Sequence, residues 1–340
     1  MSGMSPQAIP VGLVAIEKEM SRQHADALAS FEGAADVAKA IATSVRACGR
    51  LTLLGMGGSH AVNRIAECAY RRLGIAAISL PISEQLYSPL DIAGTPVLVT
   101  SQSGESIEVH RLIETIRDRK HVFGLTLEPE SMLGSTVPSL IGHGGTEHAY
   151  AATRSLLISL ALHQRVLAEL GDDPEPALRM LRTPQQPDIG DAAQALRKCE
   201  SIVFSGRILR GLAEAAALGV MELGRMPSYA LEGGQFRHGP LEILGSHTGV
   251  VVLRADEAAA ALAETLLSDS IRAGAPTILI DASGKETRSG AIQISLTKAR
   301  DIAAAIALLP PIQRLAIEIA RQRVRDVGTP RRSAKITRSE

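Results

Sequence analysis

The sequence predicts an α/β protein made of two copies of one unit, each a parallel sheet with helices on its two faces. Short apolar, β-branched runs alternate with longer segments of helical period across residues 51–170, the pattern of a parallel sheet wound with helices. A comparable succession returns across residues 201–324. The two rounds also open alike. Leu51-Thr52-Leu53-Leu54-Gly55 has its counterpart in Ser201-Ile202-Val203-Phe204-Ser205-Gly206, and the run ending at Thr100 has its counterpart in Val251-Val252-Leu253-Arg254.

In chain order, polar and apolar residues alternate with helical period over 15–30 and again over 34–46, which predicts two leading helices. Strands follow at 51–54, 77–80, 97–100, 121–125 and 139–141, and a long apolar helix at 153–170 closes the first unit. Residues 171–190 contain four prolines and several acidic residues and read as a linker, with room for a helical turn at 177–181. The second round places strands at 201–205, 249–253, 276–281 and 292–295, and helices at 209–223, 257–273 and 311–324. The expected division is an N-terminal helical segment 1–30, a first subdomain 31–180, a second subdomain 190–325 and a tail 326–340.

Composition narrows the partner. With 45% apolar and 21% charged residues and a formal net charge of zero, the chain offers no electrostatic basis for binding nucleic acid or an anionic membrane. A small molecule is the expected partner. No run approaches the length of a membrane span and the first residues lack the pattern of a signal peptide, so a cytoplasmic location is expected. Cys48, Cys68 and Cys199 are scattered, which fits reduced thiols rather than a disulfide frame or a metal cluster. No metal or other cofactor is expected.

The segment Ser101-Gln102-Ser103-Gly104-Glu105-Ser106 follows the apolar run 97–100 and precedes a helical stretch. Strand, tight loop and helix start in that order place three serine hydroxyls and unpaired backbone N–H groups at a helix N-terminus, where an anion such as phosphate is favoured. A second loop, Gly55-Met56-Gly57-Gly58-Ser59-His60, also joins a strand to a helix. Its spacing differs from a dinucleotide fingerprint and no acidic residue ends the next strand. Ser59 either completes the anion cradle or lies on a glycine turn that lets strand and helix pack closely. In the second round the hydroxyls are gone, which leaves one anion site per chain unless another subunit contributes.

Two further places carry titratable groups. In Arg237-His238-Gly239-Pro240 the Gly-Pro step constrains the loop, so the imidazole is either a proton shuttle or an ordinary loop side chain. Glu222 interrupts the apolar helical stretch 215–223, where a carboxylate is either functional or turned to a solvated face.

The order of these segments resembles a known family. The Gly-Ser loop, Ser-Gln-Ser-Gly-Glu-Ser, Gly145-Thr146-Glu147 with Thr153-Arg154, Glu222, Arg237-His238-Gly239-Pro240 and Ser333-Ala334-Lys335 together resemble the tandem sugar isomerase (SIS) domain proteins. The chain looks most like the isomerase half of glucosamine-6-phosphate synthase and the stand-alone SIS-type amino-sugar-phosphate deaminases. The resemblance implies two SIS subdomains, each a mainly parallel five-stranded, flavodoxin-like sheet flanked by helices. It also implies a substrate phosphate held by Ser59, Ser101, Gln102, Ser103 and Ser106, and a sugar pocket including Gly57, Gly58, Tyr150 and Ala334. Glu222 would shuttle a proton between carbons 1 and 2 of an open-chain sugar. His238, supplied by the neighbouring subunit of a homodimer, would open the ring, and Lys335 would close over the substrate.

The chain departs from the family at three points. Gly219 stands where a lysine commonly precedes the base glutamate by one turn, Tyr150 stands where a small aliphatic residue lines the sugar site, and the expected activity is one without a glutaminase domain. The expected activity is aldose-ketose isomerisation of a hexose or hexosamine 6-phosphate, with deamination of an amino sugar the favoured variant. The alternative is a phosphosugar sensor that binds without turnover.

Overall fold

The computed structural model describes residues 9–339. The first eight residues of the expected N-terminal segment, and the last residue of the tail, lie outside the described residues. Two all-parallel sheets organise the chain. The first contains β1 (Arg50–Gly55), β2 (Ala76–Pro81), β3 (Val97–Thr100), β4 (Val122–Thr126) and β5 (Ser139–Ile141) in the order β2-β1-β3-β4-β5. The second contains β6 (Ser201–Gly206), β7 (Ser228–Glu232), β8 (Thr248–Ala255), β9 (Thr277–Ala282) and β10 (Ile292–Ser295) in the order β10-β9-β8-β6-β7. Matching β6 to β1 and β8 to β3 makes the two orders identical, so the duplication read from the opening strands extends to the whole sheet. In each half the order reverses between the first and third strands, which opens a crevice at their carboxyl ends.

The helices are α1 (Val11–Gly33), α2 (Ala35–Cys48), α3 (Gly57–Arg72), α4 (Ile82–Tyr87), α5 (Ile107–Thr115), α6 (Met132–Thr136), α7 (Arg154–Glu169), α8 (Glu175–Arg182), α9 (Gly190–Ala195), α10 (Arg210–Gly224), α11 (Leu262–Arg272) and α12 (Asp301–Arg321). The expected linker carries α8, which packs on α1 and α12, so it is part of the fold rather than a loose tether. Helix α12 is long and apolar enough to cross a membrane by length and composition, but 83% of its apolar window is buried inside the protein.

Three expectations need correction. β7 lay outside the predicted strands. It is an edge strand bonded only to β6, with Tyr229 turned outward, so it lacks the continuous apolar run that marks its buried neighbours. The last helix begins at Asp301 rather than at residue 311, and Pro310 and Pro311 sit inside it. Their nitrogens have no hydrogen to give the carbonyls of Ile306 and Ala307, a loss that normally ends a helix. Near-complete burial of this helix between the two halves overrides that local preference. The helix expected over 257–273 starts only at Leu262, because residues 257–261 form turns.

The halves meet where α3 packs on α10. Gly211 makes the closest approach: a Cβ there would lie 2.4 Å from the carbonyl oxygen of Ala61 and 2.7 Å from the nitrogen of Ile65. Ion pairs flank the seam, Arg210 Nη2 to Glu67 Oε2 at 2.7 Å and Arg64 Nε to Glu214 Oε1 at 3.4 Å. One methyl group at residue 211 must push the helices apart. Gly211→Ala is expected to destabilise the protein by about 1–3 kcal/mol, read from the shift in urea midpoint.

Candidate active site

A cavity of 340 Å³ opens at the carboxyl ends of β1 and β3 and reaches across the seam to α10. Its walls include Gly57, Gly58 and Ser59 at the start of α3, and Ser101, Gln102, Ser103 and Ser106 before α5. Two helix N-termini therefore converge on it, each with free N–H groups and a partial positive charge.

The serine loop is held by its own hydroxyls. The Gly104 N–H donates to Ser101 Oγ at 3.1 Å and the Glu105 N–H to Ser103 Oγ at 3.2 Å, so each oxygen accepts from the loop and keeps its own hydrogen for a ligand. Gly104 has a φ of +64°, and a Cβ there would fall 2.1 Å from Ser131 Oγ. No other residue fits this turn. Glu105 fastens the loop from outside, accepting from the Met132 N–H at 2.6 Å and pairing with His110 Nε2 at 2.9 Å. The cavity floor is tied into the core: Thr100 Oγ1 donates to Asn63 Oδ1 at 2.8 Å, and the same oxygen lies 3.1 Å from His163 Nε2. Burial pushes the His163 imidazole down to about 3, so this ring is neutral and serves as a strut.

The opposite wall comes from the second half and the tail. Leu218 and Glu222 of α10, Ser333, Ala334 and Lys335 of the tail, and Tyr150 all line the cavity. Among the described residues, the tail from Ser333 onward is fastened at three points. Thr337 O accepts the Ile107 N–H at 3.0 Å, Tyr150 Oη and Ser333 Oγ share a hydrogen bond, and Lys335 Nζ reaches Glu147 Oε2 at 2.9 Å. Burial pushes the Glu222 carboxyl up to about 7; Lys335 works against the rise and Glu147 adds to it. For Glu147, which is wholly buried, desolvation opposes the charge, but Lys335 and the Ser155 hydrogen bonds outweigh it and hold the carboxyl below the usual range. Among the described residues that line the cavity, Lys335 is the one lysine or arginine.

Every candidate residue named from the sequence lines this cavity except His238. His238 is exposed, in the turns after β7, where Gly239 has a φ of +113°. On Gly219, a Cβ would touch Ala316 of α12 at 3.9 Å, so this position faces the neighbouring helix. Sequence reasoning assigned no part to Glu147, Glu108, Ser155 or Ser159. Ser155 and Ser159 had a legible signal, two hydroxyls four residues apart on one face of an apolar helix. Among the described residues no group of histidine, cysteine and acidic side chains is arranged to hold a metal ion.

No protein-family model matches the chain. It is 28% identical over 322 residues to the glutamine–fructose-6-phosphate aminotransferase (isomerizing) of Thermus thermophilus, covering 86% of this chain and 51% of that protein. The chain thus spans about half the length of the curated relatives it matches. Among solved structures, the C-terminal domain of glucosamine-fructose-6-phosphate aminotransferase from Francisella tularensis superposes with a TM-score of 0.78 at 18% identity, over 93% of this chain and 98% of that one. Glucosamine-6-phosphate deaminase from Thermotoga maritima superposes with a TM-score of 0.75 at 20% identity, over 96% and 100%. Fold and sequence together define a duplicated α/β protein of the sugar-isomerase architecture. The chain has the fold of the tandem SIS domains and is similar in sequence to the isomerising aminotransferases.

Proposed function

We propose that the chain is an enzyme that isomerises a hexose or hexosamine 6-phosphate between aldose and ketose, with release of ammonia when the substrate is a 2-amino sugar. The observation that carries this reading is one cavity holding both an anion cradle and a half-buried carboxylate, Glu222, which burial pushes up to about 7. The names of the similar proteins point the same way, toward sugar 6-phosphates.

The cradle of Ser59, Ser101, Gln102, Ser103 and Ser106 takes the phosphate and orients the rest of the sugar toward α10. Ionised Glu222 takes the proton from carbon 2 of the open-chain aldose and returns it to carbon 1. Lys335 supplies positive charge to the enediol-like intermediate. With a 2-amino sugar the product of proton transfer is an imine at carbon 2; water adds there and ammonia leaves. His238 acts from the neighbouring chain of a homodimer, assisting ring opening in a site whose described walls hold no histidine of their own chain. Gly57, Gly58, Tyr150 and Ala334 surround the sugar. The Tyr150 ring, bonded to the tail, narrows the space left for groups on the sugar.

A panel of hexose and hexosamine 6-phosphates, followed for ketose formation and for ammonia release, tests the reading. Binding of a sugar phosphate with neither product would mark a sensor instead. The pH dependence gives a second check. Glu222 must be ionised to act as a base, so kcat/KM is expected to fall about tenfold per unit as pH drops below about 7.

A further inference from the structure

We propose that Glu147 is a positioning residue, the socket that seats the tail lysine and so keeps Lys335 beside Glu222. The inference rests on Lys335 and Glu222 acting in the cavity as set out above. Its observations come from the Gly145-Thr146-Glu147 segment, which the reaction steps leave unused.

The Glu147 side chain is 0% exposed and both of its oxygens are engaged. Oε1 accepts the N–H of Thr153 at 3.0 Å and of Ser155 at 3.1 Å, so it caps α7 from the loop upstream. Oε2 accepts the Ser155 hydroxyl at 2.7 Å and Lys335 Nζ at 2.9 Å. Of these partners only Lys335 carries a charge. A fully buried carboxylate needs such a partner, and the coupling is mutual: the carboxylate draws in the lysine, and the lysine brings the tail.

The socket is also rigid. Arg154, wholly buried, reaches Glu19 Oε2 at 2.6 Å and Asp26 Oδ2 at 3.1 Å on α1, and the carbonyls of His143 at 3.0 Å and Gly145 at 2.6 Å. The His148 N–H donates to Glu19 Oε1 at 3.1 Å, and the His143 N–H to Ser30 Oγ at 2.8 Å. Helix α1 therefore clamps the loop on both sides of Glu147. A tail that lifts away leaves its socket behind, because the loop cannot follow. The start of the tail is held separately, by Arg225 paired with Asp326 at 2.7 Å, but from Ser333 onward the other two fastenings are neutral hydrogen bonds, weaker than a bond between two charged groups.

Glu147→Gln keeps an oxygen to cap α7 and removes the charge. In the full chain without ligand, trypsin is expected to cut after Arg332 and Lys335 about tenfold faster than in the parent, the factor for losing one charged hydrogen bond. Lys335→Met should speed cleavage after Arg332 by a similar factor, and the double variant should add nothing further. The pH profile separates a socket from a mere neighbouring charge. The charged groups bearing on Glu222 are Lys335 of the tail and Glu147 of the loop before α7, and the lysine outweighs the glutamate. If Lys335 leaves with the tail, the acid limb of kcat/KM moves to higher pH. If Lys335 stays, loss of the negative charge alone moves the limb to lower pH.

Unchanged tail cleavage or a downward shift overturns the proposal. The cleavage assay needs no turnover, so it decides the socket even if no sugar phosphate is converted. Should Glu147→Gln fail to fold, Lys335→Met, which changes only the tail, breaks the same pair from the other side: faster cleavage after Arg332 supports the socket, and an unchanged rate overturns it.

Discussion

Glu222→Gln is expected to lower kcat by about 10³, the usual contribution of a positioned general base, while the affinity for a sugar 6-phosphate stays within about threefold of the parent. The amide has the size of the carboxylate but cannot take a proton at neutral pH. The proposed phosphate cradle belongs to the first half of the chain and Glu222 to α10 in the second, so the substitution leaves the cradle intact. Stopped turnover with retained binding, measured by calorimetry beside a coupled ketose assay, is the signature. A variant that keeps most of its kcat would move the proton transfer to another group. Glu108, whose Oε2 is buried without a hydrogen-bond partner and which lines the same cavity from the serine-loop side, would be the first to examine.

The second large effect concerns His238. His238→Ala is expected to lose about 10²–10³ in kcat on substrates that enter as closed rings. Less should be lost on an analogue that cannot cyclise. His238 lies on an exposed turn and does not line the cavity of its own chain, so the proposed role requires a neighbour's site. Inactive Glu222→Gln chains mixed and refolded with inactive His238→Ala chains should then regain activity. In a mixed dimer one of the two sites has Glu222 from one chain and His238 from the other, both intact. The expected recovery is about a quarter of parental activity, since half the dimers are mixed and each has one complete site. Demonstrably mixed dimers that stay inactive would show that the site is not shared.

Strands β1, β3 and β4 were legible almost to the residue because each is a buried apolar run. β7 was not, because its position is set by pairing with β6 rather than by its own apolar content. The prolines of α12 misled for a related reason: the local rule holds for a solvated helix, and here burial between two halves decides. The proposed anion cradle was readable since all of it but Ser59 lies within six neighbouring residues. Glu222, His238 and Lys335 stood out through family resemblance; composition alone left them ambiguous. Glu147 escaped because its meaning depends on a lysine 188 residues away, and no spacing or period in the sequence records that contact.

The glycine contact between α3 and α10 has a consequence for substrate choice. One helix begins at the cradle with Ser59 and the other carries Glu222, and at Gly211 their backbones touch with no side chain between them. If the proposed roles hold, the span from phosphate seat to base is therefore a fixed length, a ruler made of two helices locked at one point. Sugars whose reacting carbons lie one carbon nearer to or farther from the phosphate would be measured and passed over, whatever hydroxyls they carry.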